Sequence, residues 1–576
     1  MGAGFGFADW AVVAACLVAI TLVGHRMSGR AASLRDFFLG GRKLPWWAVS
    51  ASIVATEISA VTYVSLPSVV FRQGGDMTYL QLGLIGSFIG RAVVGYVLVP
   101  AYYEREIYSP YDYMGGKLGE GVRRTATTLF SIGGVLGQAA RVYLTAVVLG
   151  VILHDELAWI EARLGLDPLV SAVASIGVVA LAWTWLGGIA TVVWTDAILF
   201  LLFLGGLLVT LVVIGRGVDG GLPAAIAAGA EAGKFRLFDL SLDPTRPYTL
   251  WVAIFASSWL TVGAYGTDQL MAQRMFCCAS ARDARKAILW SIVAMGVTFL
   301  AAVVGVGLWA WYREHGMSES ALALYRDAPD RVFPIFIREA LPTGIKGLVL
   351  ASVFAAAISS LDSILAALSQ TTLSVLPRRW RARGTTLESE RTSDSGRSLR
   401  ASRVLVALWG VGLCTVAVGM DTVQRRYDSI LDLALAMATY TWGALLAGFM
   451  LAWVPPLSRR FGGSGYPFGA ALSVLTVFAI VWHEPWAARA CWIASTAVLL
   501  AWVALRLRPA LARGDPLAPW LARSVALACG LALSIILCYH GVFPGGGTLA
   551  WPWNVPAGTL VALVGSLALA DPRTRP

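Results

Sequence analysis

Apolar stretches of about 20 residues recur along the whole chain, each closed by a short polar or basic segment. A run of that length spans the hydrocarbon core of a bilayer as a helix. The pattern predicts about 15 spans. They fall near 7–24, 44–71, 77–103, 123–153, 168–187, 193–215, 250–270, 285–312, 344–376, 401–420, 428–454, 466–483, 488–507, 518–541 and 550–570. Three of them carry more polarity at mid-span than a simple lipid-facing helix tolerates. The segment at 44–71 holds Glu57, Ser59, Thr62, Ser65 and Pro67, which predicts a broken helix with freed backbone carbonyls. The segment at 250–270 contains SSWLTVGAYGTDQ and is interrupted in the same way. The segment at 344–376 carries Ser359, Ser360, Asp362 and Ser363 in its middle.

In that last helix Ala356, Ser359, Ser360 and Ser363 follow the i, i+3, i+4, i+7 spacing of one face. Hydroxyls and carbonyls at bilayer depth suit a small hard cation, which prefers oxygen ligands. A serine in a membrane helix also serves simple packing, or bonds its own i−4 carbonyl. The adjacent Asp362 favours function, because ionisable groups are costly inside a membrane. It lies off the centre of the serine face, lining an exit or pairing with a base.

Composition agrees with a polytopic helical membrane protein. Of 576 residues, 57% are hydrophobic and 14% charged, with a mean hydropathy of +0.69. The net charge of +11 sits in short connections, as the positive-inside rule describes, and gives no sign of nucleic-acid binding. The N-terminus is then outside and the C-terminus cytoplasmic, in a cell (inner) membrane. The seven cysteines lack metal-ligand spacing, and the vicinal Cys277 and Cys278 fall in AQRMFCCASARDARK, read as a basic cytoplasmic loop. The first apolar run has no basic leader segment and reads as a retained helix.

Two blocks of five spans begin at the interrupted helices. An odd number of spans inverts the second block relative to the first, and paired interrupted helices point to a transporter site at mid-membrane. The division is 1–43, an N-terminal helix and basic loop; 44–215 and 250–454, two inverted repeats; and 455–576, accessory helices.

Several motifs, in order, resemble the sodium:solute symporter family, which has the LeuT-type fold. They are DFFLGGRKLPWWAVSASIVATEISAVTY, GGIATVVWTD, YGTDQLMAQRMF with the following ARKA, and GLVLASVFAAAISSLDS. AWPWNVPAGTLVALVGSL is similar to the closing helix, and the likeness spans about 35 to 455 plus that helix. The resemblance implies a LeuT-type 5+5 inverted repeat, all-α, with one extra N-terminal helix and about four C-terminal helices. It implies Na+ as coupling ion and no organic cofactor. The sodium ligands it implies are the carbonyls of Ala55, Ile58 and Ala356 and the hydroxyls of Ser359 and Ser360. In the sialic-acid-type members a second sodium is held at the positions of Asp196, Ser359 and Ser363. For Asp196 alone, a first-turn acid stabilised by the helix dipole is the plainer reading.

In those same members the solute meets positions matching Ser59, Thr62, Gln81 and Arg141. A guanidinium binds a carboxylate bidentately, whereas a buried arginine alone also reads as a structural partner of an acid. Glu57 departs from the pattern, standing where those members have a hydroxyl. Paired with Arg141 it makes the pocket fit a neutral solute or a zwitterion; paired with Arg91 it leaves Arg141 to a carboxylate. Phe255, Trp259 and Tyr265 are gate or stacking candidates, or plain packing residues.

The expected function is sodium-coupled import of a small organic solute by alternating access, foremost a carboxylate such as sialic acid or another sugar acid or monocarboxylate. The alternative solutes are a neutral sugar, a polyol or an amino acid. A sensor with this fold is disfavoured, since only DPRTRP follows the last helix. An enzyme is disfavoured too, since the five histidines fall near helix ends or loops without metal-ligand spacing. The expected partners are the solute and the lipid bilayer, with the protein a monomer or weak oligomer.

Overall fold

A computed structural model describes residues 5–28, 39–58, 60–104, 107, 109–186, 189–375, 395–424, 430–454, 463–482, 485–511 and 549–570. Among these, every named element is helical. The order begins α1 (Phe7–Ser28), α2 (Trp46–Glu57), α3 (Ala60–Phe71), α4 (Leu82–Tyr103), α5 (Pro110–Leu118) and α6 (Glu120–Ile152). It continues with α7 (His154–Leu164), α8 (Pro168–Leu186), α9 (Ile189–Gly217), α10 (Gly221–Glu231), α11 (252–267) and α12 (Gln269–Phe276). Then come α13 (Ala281–Trp290), α14 (Ala294–His315), α15 (Glu319–Asp327), α16 (Val332–Glu339) and α17 (Ile345–Val375). The last are α18 (Ser395–Gln424), α19 (Ile430–Trp453), α20 (Tyr466–Trp482), α21 (Pro485–Leu511) and α22 (Asn554–Ala568).

Nine helices among the described residues are long and apolar enough to cross a membrane alone, and two bent pairs bring the number to eleven. The span expected at 518–541 lies outside the described residues, as does the Gly187–Gly188 turn. The remaining expected spans fall on helices. Shorter helices also fill two connections: α10 follows α9, and α15 and α16 follow α14.

The break in the second span is real. Helix α2 ends at Ile58, whose φ of −81° and ψ of 82° leave the helical region. The axes of Trp46–Glu57 and Thr62–Phe71 meet at 54°. Helix α11 is also irregular, with π-helical turns at Val252–Ser257 and Val262–Thr267, and Asp268 beyond it is extended at φ −80° and ψ 127°.

The chain forms two compact units. The first comprises Met1–Leu84, Gly134–Asp239 and Gln273–Leu435. Its centre is α17, which packs against α1, α2, α8, α9 and α18. The C-terminal end of α3 is held by Lys234, whose Nζ donates to the carbonyls of Val70 at 2.8 Å, Phe71 at 3.3 Å and Arg72 at 2.6 Å. A cation placed there satisfies carbonyls that a helix end leaves unpaired. The N-terminal end of α17 is held by Asp9 of α1, which accepts from the backbone N–H of Gly344 at 2.6 Å and Gly347 at 3.1 Å.

The second unit comprises Ile85–Gly133, Leu240–Ala272 and Ala436–Pro576. Helix α20 packs on α21 and α22, and it lies close to α22 because Gly469 and Gly565 leave no side chain between the two backbones. The aromatic residues proposed as gates lie in this unit. Phe255 is exposed and stacks on Trp251, Trp259 donates to Thr559 at 3.0 Å, and Tyr265 takes both a hydrogen bond at 3.1 Å and a cation–π contact from Arg91.

Candidate functional site

The broken helix and the hydroxyl helix meet. α2 and α17 pack on each other, and both pack on α9. Ala55 is buried in the last turn of α2 and Ile58 is the buried residue that caps it, its N–H bonded to the Val54 carbonyl at 2.9 Å. A helix end leaves its last carbonyls without intrahelical donors, so the end of α2 presents oxygens at this level. Ala356 belongs to α17. Ser359 and Ser360 follow it, each 1% exposed. The Ser360 hydroxyl is buried and has no hydrogen-bond partner among the described residues. An orphaned buried hydroxyl costs free energy, and a Na+ ion there would supply the missing partner. The donor set of carbonyls and hydroxyls fits that ion.

Asp196 lies in the second turn of α9, wholly buried. It accepts from the Ser359 hydroxyl on one oxygen and from the Ser52 hydroxyl at 2.6 Å on the other. Its charge is met by Arg274 on α12, whose Nη2 stands 3.1 Å from Asp196 Oδ2. The same nitrogen donates to Ser363 at 2.6 Å, and Nε donates to Ser52 at 2.9 Å. Arg274 is 1% exposed.

This overturns one sequence expectation. AQRMFCC, expected within a basic loop, instead supplies the C-terminal part of α12, the buried Arg274, and the buried Cys277 and Cys278. The Leu44 N–H bonds the Cys277 carbonyl at 3.1 Å, tying this segment to the start of α2. One signal was available. Leu270, Met271, Met275 and Phe276 flank Arg274 at helical spacing, the mark of a buried helix and not of a solvated connection. Asp362 is buried on α17, accepts from the Ser363 hydroxyl at 3.1 Å, and lies within electrostatic range of Asp196 and Arg274.

A second group surrounds the break in α2. Arg141 Nη1 donates to the Thr56 carbonyl at 3.1 Å, one residue before Glu57. Glu57, Asp432 and Arg141 all act electrostatically on the Tyr79 hydroxyl. Glu57 and Arg141 are thus drawn into one neighbourhood, and Asp432, near the start of α19, joins them unforeseen. Gln81 is fully buried in this unit and Thr62 is half-buried on α3. Ser59 lies outside the described residues. Gln138, one turn before Arg141 on α6, is buried with its side-chain oxygen unpartnered among the described residues. Its i, i+3 relation to Arg141 puts it on the same face.

The comparisons with known proteins agree with this architecture. The model of the sodium:solute symporter family matches residues 37–391. The sodium/sialic acid symporter SiaT of Proteus mirabilis (strain HI4320) is 30% identical over 376 residues, covering 63% of this chain and 70% of that protein. Sodium-coupled monocarboxylate transporter 2 of Bos taurus is 27% identical over 376 residues, covering 64% of this chain and 58% of its own length. A solved structure, the substrate-bound outward-open state of a Na+-coupled sialic acid symporter, superposes with a TM-score of 0.67 at 24% identity. That superposition covers 86% of this chain and 96% of the other, and shows the all-helical LeuT-type fold.

Proposed function

This chain belongs to the sodium:solute symporter family, and we propose that it imports a small organic carboxylate, such as a sialic acid, another sugar acid or a monocarboxylate, coupled to Na+. The observation that carries the carboxylate is the Arg141 guanidinium at the broken end of α2, 3.1 Å from the Thr56 carbonyl. A planar fork there offers paired N–H groups to a solute in the gap. The names of the two relatives point the same way, since sialic acids and monocarboxylates both carry a carboxylate.

Sodium binds between α2 and α17, through the carbonyls of Ala55, Ile58 and Ala356 and the hydroxyls of Ser359 and Ser360. The unpartnered Ser360 hydroxyl supports this assignment. Bound Na+ joins the end of α2 to α17 and so orders the adjoining solute groups: Glu57, Ser59, Thr62, Gln81 and Arg141, with Gln138 and Asp432 added. The ion then carries the coupling energy, about 2.3 kcal/mol per charge for each 100 mV of potential, plus its concentration gradient. In this reading the inverted repeats are 44–215 and 250–454, the protein lies in the inner membrane with its N-terminus outside and its C-terminus in the cytoplasm, it acts as a monomer or weak oligomer, and it catalyses no chemical conversion.

A second reading has its own observation. Glu57 and Asp432 share the neighbourhood of Tyr79 with Arg141. Two acids beside one base suit a zwitterion or a polyhydroxylated neutral solute.

Uptake into proteoliposomes distinguishes the two readings. Radiolabelled sialic acid, lactate, a polyol and an amino acid are offered with and without an inward Na+ gradient, to the parent and to Arg141→Ala. Sodium-driven uptake of an acid, weakened about 100-fold in the variant by loss of charged hydrogen bonds, supports the carboxylate. Parent-like acid uptake by the variant refutes the role of Arg141. Uptake of the neutral solute alone moves the assignment to the second reading.

A further inference from the structure

We infer that Arg274 is the resident cation of the Asp196 position, so that the protein binds one Na+ and not two. This rests on the sodium-coupled reading above and refines it. The resemblance assigned a second sodium to Asp196, Ser359 and Ser363. In the structure the guanidinium meets Asp196 and Ser363 directly, and Ser359 is joined to it through Asp196. Nη2 reaches Asp196 at 3.1 Å and Ser363 at 2.6 Å, while Nε reaches Ser52 at 2.9 Å. The carboxylate is used on both oxygens, Oδ1 by Ser359 and Oδ2 by Ser52 and Arg274. Arg274 and Asp196 are 1% and 0% exposed, so no solvent stands between them to screen a further charge.

The chemistry of the two positions therefore differs. At the first, Ser360 offers an oxygen with no partner among the described residues. At the second, a tethered +1 charge already holds Asp196 Oδ2 and the Ser363 hydroxyl. Repulsion from that guanidinium alone, at about 4 Å, weakens binding of a second Na+ about a thousand-fold at an effective dielectric constant of about 20, and an ionised Asp362 beside it acts in the opposite direction. The planar guanidinium does what a spherical ion does for the packing: it joins α2 through Ser52, α9 through Asp196 and α17 through Ser363. Unlike an ion it stays attached to α12, so it is not released to the cytoplasm and carries no coupling energy. The cost to the transporter is a shallower attainable gradient, since only one ion's electrochemical energy drives each cycle.

The test counts ions directly and needs no transported solute. Equilibrium binding of 22Na+ to the purified full-length protein, at graded Na+ concentrations, gives the stoichiometry. One Na+ per chain with a Hill coefficient near one is expected. Two per chain, or a Hill coefficient clearly above one, overturns the inference. No saturable binding at all refutes the sodium-coupled reading itself, a distinct result. Arg274→Gln supplies the converse arm. When the variant elutes as a single species and still binds at the first position, release of Asp196 should raise the stoichiometry to two. A folded variant that remains at one ion refutes the role given to Arg274. The count in the parent stands whether or not the variant folds.

Discussion

The Asp9 carboxylate bridges two elements more than 300 residues apart, and its removal has a calculable effect. Oδ1 accepts from the N–H groups of Gly344 at 2.6 Å and Gly347 at 3.1 Å, where α17 begins; Oδ2 accepts from Gly6 at 3.0 Å. The residue is 1% exposed. A hydrogen bond to a charged group contributes about 1.5–3 kcal/mol, and an acid at a helix N-terminus adds about 0.3–1 kcal/mol through the dipole. Water recovers part of this when the carboxylate is absent, so Asp9→Ala should cost about 2–4 kcal/mol of local stability. That corresponds to amide exchange about 30- to 900-fold faster in the first turn of α17. Hydrogen–deuterium exchange of the peptide over 340–350 reads the change without requiring global unfolding. Asp9→Asn, which keeps an acceptor but loses the charge, should fall between the parent and the alanine variant. Gly347→Ala should act through the same contact, because an added methyl falls 2.3 Å from the Asp9 carbonyl oxygen. Exchange in Asp9→Ala within threefold of the parent refutes the capping role.

The Asp196–Arg274 pair predicts strong non-additivity. Two unit charges 3.1 Å apart attract by about 5 kcal/mol at an effective dielectric constant of about 20, and stripping one partner from a buried pair costs about 3–5 kcal/mol. The double variant Asp196→Asn, Arg274→Gln should recover at least about 2 kcal/mol of the summed losses in mixed-micelle denaturation, and additivity within about 0.5 kcal/mol counts against the pair. Ser360→Ala separates ion binding from folding. Removing an orphaned buried hydroxyl should leave the sodium-free protein equally or more thermostable, while the stabilisation by added Na+ should require about tenfold more salt. A variant whose sodium response matches the parent rules Ser360 out as a ligand.

Local pattern made much of this protein legible. A membrane helix announces itself within some 20 residues, because each backbone group must be satisfied inside its own segment. The break at Glu57 and Ile58 is equally local, since polar residues and Pro67 crowd one span. So is the hydroxyl face of α17, because residues at i, i+3 and i+4 share a side wherever the helix sits. The same locality misled at Arg274. In AQRMFCCASARDARK the density of basic residues suggested a cytoplasmic connection, yet only the later arginines and the lysine sit beyond α12.

Among the described residues, local pattern fixes the spans, the interrupted helices and the oxygen-rich face of α17. Periodicity and polarity act over one or two helical turns, and they decide these features wherever the helices come to pack. Tertiary structure alone decided the partners. Arg274 finds Asp196 across 78 positions, and Ser52 finds it across 144. Asp9 finds the start of α17 across 335, and Arg141 finds the Thr56 carbonyl across 85. A buried charge must have a partner, so the sequence states the need. Which of several buried charges meets it depends on how α2, α9, α12 and α17 pack, and no one-dimensional pattern contains that distance.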